Sequence, residues 1–80
     1  MAEIKFEIIR ELGIIGYGTK GWAKEVNFVS WNERKPKIDI RDWDELHEKM
    51  GKGITLTTEE AIQLKNILDK IDWDELDMQA

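Results

Sequence analysis

The chain reads as an α+β domain, four antiparallel strands followed by one helix, and three observations predict it. Every segment whose apolar positions recur at every second residue lies before residue 57. A helical period occurs once, directly after a capping signature at Thr57. No helical segment separates the strand-like runs, so nothing supplies the crossover that a parallel sheet requires.

The first strand lies in residues 3–15. Ile4, Phe6 and Ile8 share one parity with Lys5 and Glu7 on the other, and Ile9 and Gly13 disturb the alternation, which predicts a bulge or bend. Gly16 to Gly21 forms a glycine-dense turn, and the aromatic, β-branched run Trp22 to Trp31 is the second strand of a long hairpin. Asn32 to Pro36 is polar and holds the only proline, which suits a turn. In the third strand, Lys37 to Trp43, Ile38 and Ile40 face one way. Lys37, Asp39, Arg41 and Trp43 face the other, which reads as the charged side. Asp44 to Lys49 is a polar connection containing His47, and Met50 to Leu56 is the fourth strand. Thr57 with Glu60 opens the helix, whose stripe is Ala61, Leu64, Leu68 and Ile71, widened by Ile67. Residues 1–72 form one domain, and 73–80 read as an acidic C-terminal tail, with a continuation of the helix that packs Trp73 and Leu76 as the alternative.

With 80 residues the chain buries only roughly 60–65% of its unfolded surface, so a lone core is marginal. There are no cysteines and one histidine, which excludes disulfides and zinc sites of the usual nitrogen and sulfur kind. No metal or other cofactor is expected. Oligomerisation is the remaining way to complete the core, and the helix stripe (Ala61, Leu64, Ile67, Leu68, Ile71) is a natural surface for a two-fold partner. No apolar run reaches the ~18–20 residues of a membrane span, and the N-terminus lacks the pattern of a signal peptide. A cytoplasmic setting without a membrane partner is therefore the expectation, with association to the nucleoid as the alternative.

The net charge of −5 argues at first against nucleic acid, but it is unevenly placed. Residues 20–56 carry eight basic and seven acidic side chains, whereas residues 57–80 carry two and seven. The acidic excess belongs to the helix and tail.

Several motifs invite chemistry and do not support it. Gly16-Tyr17-Gly18-Thr19-Lys20-Gly21 matches G-x-G-x-x-G, but a strand follows where the dinucleotide fingerprint needs a helix. His47 lies near Glu45 and Glu48 without a nucleophile, so it reads as a solvated loop histidine rather than an acid or base. Asp39, Asp42, Asp44 and Glu45 are interleaved with Lys37 and Arg41, favouring ion pairs over a metal site. Trp-Asp-Glu-Leu occurs at 43–46 and 73–76, in contexts too different to make a repeat. Neither an enzyme nor a small-molecule substrate is expected. Trp43, placed by parity among charges, reads either as a packing lid or as a base-stacking platform beside cations.

Ile38-Asp39-Ile40-Arg41-Asp42-Trp43, then Met50-Gly51-Lys52-Gly53-Ile54-Thr55-Leu56 and a capped helix, resemble the positive cofactor four family of transcriptional coactivators, in its short bacterial form. Gly21-Trp22, Lys24-Glu25, Val29-Ser30-Trp31-Asn32 and Pro36-Lys37 extend the likeness, which covers about residues 4–72. The resemblance implies a strongly curved antiparallel sheet with one C-terminal helix, a homodimer, and binding of single-stranded DNA across the β surface. Arg41 matches the arginine of the family's Ile-Asp-Ile-Arg motif, Lys52 the lysine of its Lys-Gly-Ile motif, and Trp43 falls at or beside the aromatic that follows the arginine. The loop between Asn32 and Lys37 is shorter than in eukaryotic members, and Glu25 stands where those members favour cations.

On this combined reading the protein is a non-catalytic single-strand binder with little sequence preference, acting in transcription or in DNA repair and replication. Lys24, Lys37, Arg41, Lys49 and Lys52 would line a groove for phosphates. Trp43, with Trp22 and Trp31, would stack on bases, and Ser30 and Asn32 would add hydrogen bonds. RNA or folded guanine-rich DNA are alternative ligands. The alternative of another class is a dimeric protein-interaction module with its tryptophans as hot spots.

Overall fold

A computed structural model describes residues 4–79. Four strands, β1 (Phe6–Tyr17), β2 (Ala23–Trp31), β3 (Lys37–Trp43) and β4 (Met50–Leu56), precede two helices, α1 (Thr58–Asp69) and α2 (Trp73–Gln79). The strands form one antiparallel sheet in chain order, each paired with its sequence neighbour. The predicted α+β order is therefore observed, with β3 and β4 at the expected bounds. β1 runs on to Tyr17, so the first turn is confined to residues 18–22, closed by Gly18 N–H to the Trp22 carbonyl (2.7 Å) and Trp22 N–H to the Thr19 carbonyl (3.1 Å).

β1 is broken by three register shifts, between Ile8 and Arg10, Glu11 and Gly13, and Ile14 and Gly16. Two of them fall where Ile9 and Gly13 interrupt the alternation. Each extra residue bends its strand and strengthens the local twist, so three in one strand coil the sheet. The coil is visible in a contact between corners. Phe6 pairs with Trp31 at one end of β2, and Trp43 pairs with Ala23 at the other end. Eight residues of flat strand would hold these ends about 26 Å apart, yet the Phe6 and Trp43 rings lie 5.1 Å apart between centroids.

The concave face contains Ala23, Glu25, Asn27 and Val29 of β2 with Asp39 and Trp43 of β3, all buried. This corrects the reading of β3. The set Lys37, Asp39, Arg41, Trp43 contains the two most buried residues of the strand, whereas Ile38 and Ile40 are only half-buried. Charge on a strand marks the solvent face only when it is unpaired. Here Arg41 Nε and Nη2 donate to the two oxygens of Asp39 at 2.7 and 2.8 Å, so the pair can enter a covered face.

Thr57 caps α1 as the sequence predicts: its Oγ1 accepts from Glu60 N–H (3.1 Å) while Glu60 Oε1 accepts from Thr57 N–H (2.9 Å). The helix lies beside β3 and β4, and all of its residues are at least partly exposed. Ala61, Leu64 and Ile71 are half-buried, while Ile67, Leu68 and also Ile62 are exposed. Residues 73–79, the acidic segment after α1, form the separate helix α2. Asp72 starts it, its Oδ1 accepting from Glu75 N–H (3.2 Å), and Asp74 and Glu75 suit the positive end of the helix dipole. Trp73 and Leu76 on this helix are exposed.

Candidate nucleic-acid interface

The site is built around the end of β2. Asn32 and Glu33 both take left-handed backbone (φ 51° and 63°), and Arg34 N–H closes back on the Trp31 carbonyl at 3.0 Å. Two consecutive positive φ values define the tight turn whose twist suits a hairpin, and asparagine tolerates the first of them well. Ser30 Oγ donates to the Arg34 carbonyl at 2.6 Å. Asn32 is tied to the start of β1, its N–H donating to the Lys5 carbonyl (2.7 Å) and its Oδ1 accepting from Lys5 N–H (3.2 Å). Ser30 and Asn32, expected to bind ligand, are engaged in shaping this turn. Its consequence is to set Arg34, Lys35 and Lys37 beside Trp31.

Those four side chains, with Arg41, Met50 and Thr55, line a concave cavity of about 320 Å³. The Arg41 guanidinium lies over the Trp31 ring, 4.6 Å from its centroid, and the tilted Phe6 ring packs beside it with centroids 5.8 Å apart. Arg41 also directs Nη1 toward the Gly51 carbonyl at 3.4 Å and Met50 Sδ at 3.7 Å. Held at both edges, it cannot swing far, and the buried Asp39 offsets its charge. Its chemical character is therefore that of a fixed planar cation stacked on indole, a surface extended enough for a base to lie against. Among the described residues Arg34, Lys35 and Lys37 have no ion-pair partner, and they supply the free positive charge of the cavity.

Trp31, Lys37 and Arg41 are thus brought together. Trp43 is not with them: it is 0% exposed, packed between Phe6 (5.1 Å) and His47 (5.5 Å between centroids). A base cannot reach it, so the stacking role expected of Trp43 is corrected to that of a core residue. Lys24 points to the opposite face of the sheet from Trp31, its Nζ 4.0 Å from Asp42 Oδ1. Trp22, Lys49 and Lys52 lie outside the cavity lining as well. Sequence reasoning missed Arg34 and Lys35, although Arg34-Lys35-Pro36-Lys37 places three cations in four residues. The polar turn drew attention to its proline and away from its charge.

His47 is also corrected. It is half-buried rather than solvated, and its partners are not its neighbours Glu45 and Glu48. Asp44 organises the loop, its Oδ1 accepting from the N–H groups of Glu48 and Lys49 at 2.8 Å each, and His47 takes a left-handed φ of 56°. That turn throws the imidazole back over Trp43, where Nε2 meets the Glu25 carboxylate at 2.8 and 3.0 Å.

Residues 19–67 match the family described as Transcriptional Coactivator p15 (PC4). The chain belongs to this family. The matched span takes in β2, β3, β4 and most of α1, and so every residue named in the cavity lining above. A protein of Treponema pallidum (strain Nichols) titled "Uncharacterized protein" is 38% identical over 72 residues, covering 90% of this chain and 85% of that relative. The PC4 family is a nucleic-acid-binding, non-enzymatic family, and its members bind single-stranded DNA. Among the described residues no helix is long and apolar enough to cross a membrane.

Proposed function

We propose that this protein is a homodimeric, non-catalytic single-stranded DNA-binding protein of the PC4 type, with little sequence preference, serving transcription or DNA repair and replication. The observation that carries the reading is the Trp31–Arg41 stack rimmed by Arg34, Lys35 and Lys37 in one concave cavity. Stacking is indifferent to base identity because every base presents a π-face, and the three cations answer the phosphates that join successive bases. A stacking platform rimmed by cations suits a ligand held by shape and charge.

Dimerisation belongs to the same reading. The exposed apolar residues of α1, Ile62, Ile67 and Leu68, together with Ile54 of β4, are what a second copy would cover. The interaction-module alternative has less support, since of the four tryptophans only Trp73 is exposed.

A titration with a ~20-nucleotide single strand, followed by tryptophan fluorescence, tests the proposal. Log affinity should fall linearly with log salt, with a slope of about −2 per protomer if Arg34, Lys35 and Lys37 each hold one phosphate. Trp31→Ala should weaken binding by about 1–3 kcal/mol, roughly 5- to 150-fold, with an unchanged circular dichroism spectrum. Binding that ignores salt, or duplex bound as well as single strand, would overturn it.

A further inference from the structure

On the same concave face, away from the proposed DNA cavity, three side chains from three elements converge. His47 Nε2 lies 2.8 Å from Glu25 Oε1 and 3.7 Å from Glu11 Oε1, and all three offer a ligand atom within 4.8 Å of one another. They line a second cavity of about 340 Å³, open to solvent, together with Asn27 and Ile14. Glu11 comes from β1, set opposite Asn27 by the register between two of the bulges; Glu25 comes from β2 and His47 from the β3–β4 loop. We propose that this cluster binds a divalent transition-metal ion of the zinc class, one per protomer.

Ligand chemistry and spacing support this independently of the DNA reading. One imidazole and two carboxylates carry two negative charges, which a divalent ion neutralises, and an imidazole nitrogen selects zinc-like ions over magnesium or calcium. Ligand atoms 2.0–2.2 Å from a tetrahedral ion stand roughly 3.3–3.6 Å apart; the His47–Glu25 approach of 2.8 Å is shorter than that and the His47–Glu11 approach of 3.7 Å slightly longer, so small side-chain adjustments would seat an ion. The surroundings have the second layer such a site needs. Asn27 is 1% exposed and its Nδ2 donates to Glu25 Oε1 at 3.0 Å, which orients the carboxylate toward His47. The other end of the same amide, Oδ1, is buried with no hydrogen-bond partner among the described residues. Asn27 lines this cavity, so a water held by the ion would supply the donor that Oδ1 lacks. With three protein ligands, a fourth position would be left for that water. A bound ion would clamp the far half of β1 and the β3–β4 loop to the centre of the sheet.

The test is calorimetric titration of chelator-stripped protein with zinc chloride, with thermal melting in parallel and magnesium chloride as control. The expected result is one zinc per protomer, a Tm that rises until that stoichiometry is reached, and no such response to magnesium. Glu11 is 67% exposed at its side chain, so Glu11→Gln should fold normally yet bind zinc at least tenfold more weakly. His47→Gln, checked for fold by circular dichroism, should abolish the response. Absence of binding overturns the proposal. So does equal binding by Glu11→Gln, which would place the ion elsewhere, or equal binding of magnesium, which would reveal diffuse attraction to acidic groups.

Discussion

Asp39 is the residue on which the interior of the sheet depends. It is 0% exposed, and its two oxygens hold a guanidinium that in turn lies on Trp31. Removing one partner of a buried pair leaves the other charge uncompensated, which costs about 3–5 kcal/mol. Asp39→Ala should therefore lower unfolding stability by about that amount in urea denaturation, and it should also release Arg41 from its stack. Arg41→Ala strands the fully buried Asp39 carboxylate, whereas Asp39→Ala strands the less buried guanidinium, so Arg41→Ala should cost at least as much. Only part of this was legible at residue scale. Lys37, Arg41 and Trp31 were recognisable as a cationic and aromatic set, but a charged side chain does not announce in sequence whether it is paired. Parity placed Trp43 and Asp39 correctly on one face and gave no information about which face would be covered, so the buried face was taken for the wet one. His47 was illegible for a related reason, since its partners Glu25 and Glu11 are 22 and 36 positions away and meet it only once the loop reverses.

At the scale of elements, local signals did well wherever the chemistry was local. The capping box of α1 and the interruptions of β1 rest on contacts within a few residues, and both stand where the side chains place them. The end of the chain shows the opposite case. Asp72-Trp73-Asp74-Glu75 contains a helix start, but its acidity suggested a solvated tail. The glycines of β4 lie in the strand where the sequence puts them, but its composition does not say which of them is needed for space. A Cβ at Gly53 would collide with Arg41 Cβ and the Ile40 carbonyl oxygen, whereas one at Gly51 would meet Asp42 Cβ at 3.4 Å. Gly53 lets β4 close against β3 beside its register shift. Gly53→Ala should cost about 1–3 kcal/mol in the same urea experiment, as overpacked sites do. Gly51→Ala should stay within about 0.5 kcal/mol of the parent. Equal effects of the two would show that the close approach is not what Gly53 serves.

The whole molecule is extended for its length. Its radius of gyration is 14.7 Å and it measures 46 × 33 × 22 Å, where a compact chain of this length has a radius of about 11.6 Å. Its accessible surface of 6798 Å² compares with about 5,000 Å² expected of a folded monomer of 9.4 kDa. A protomer with this much surplus surface is the strongest structural support for the proposed homodimer. Light scattering should give about 19 kDa, twice the 9.4 kDa chain. Leu68→Asp, which puts a charge into the exposed apolar part of α1, should shift the mass toward that of a monomer and lower the Tm, because two-fold burial is then lost from both copies. A monomeric mass for the parent at micromolar concentration would remove the basis for this assignment. Shortness and the lack of cysteines point to association; the strong coiling of the sheet was legible only through the family resemblance.

The three register shifts of β1 also govern how the molecule can aggregate. β1 is an outer strand, and it carries exposed Ile9, Leu12, Ile14, Ile15 and Tyr17, a composition that in a straight strand would recruit further chains edge to edge. A template for fibre growth needs an unbroken row of donors and acceptors in step with the incoming strand. Interrupted three times in 12 residues, this edge falls out of step with any regular neighbour after a few residues. The same irregularity that coils the sheet around its core thus works against edge-to-edge recruitment of further chains.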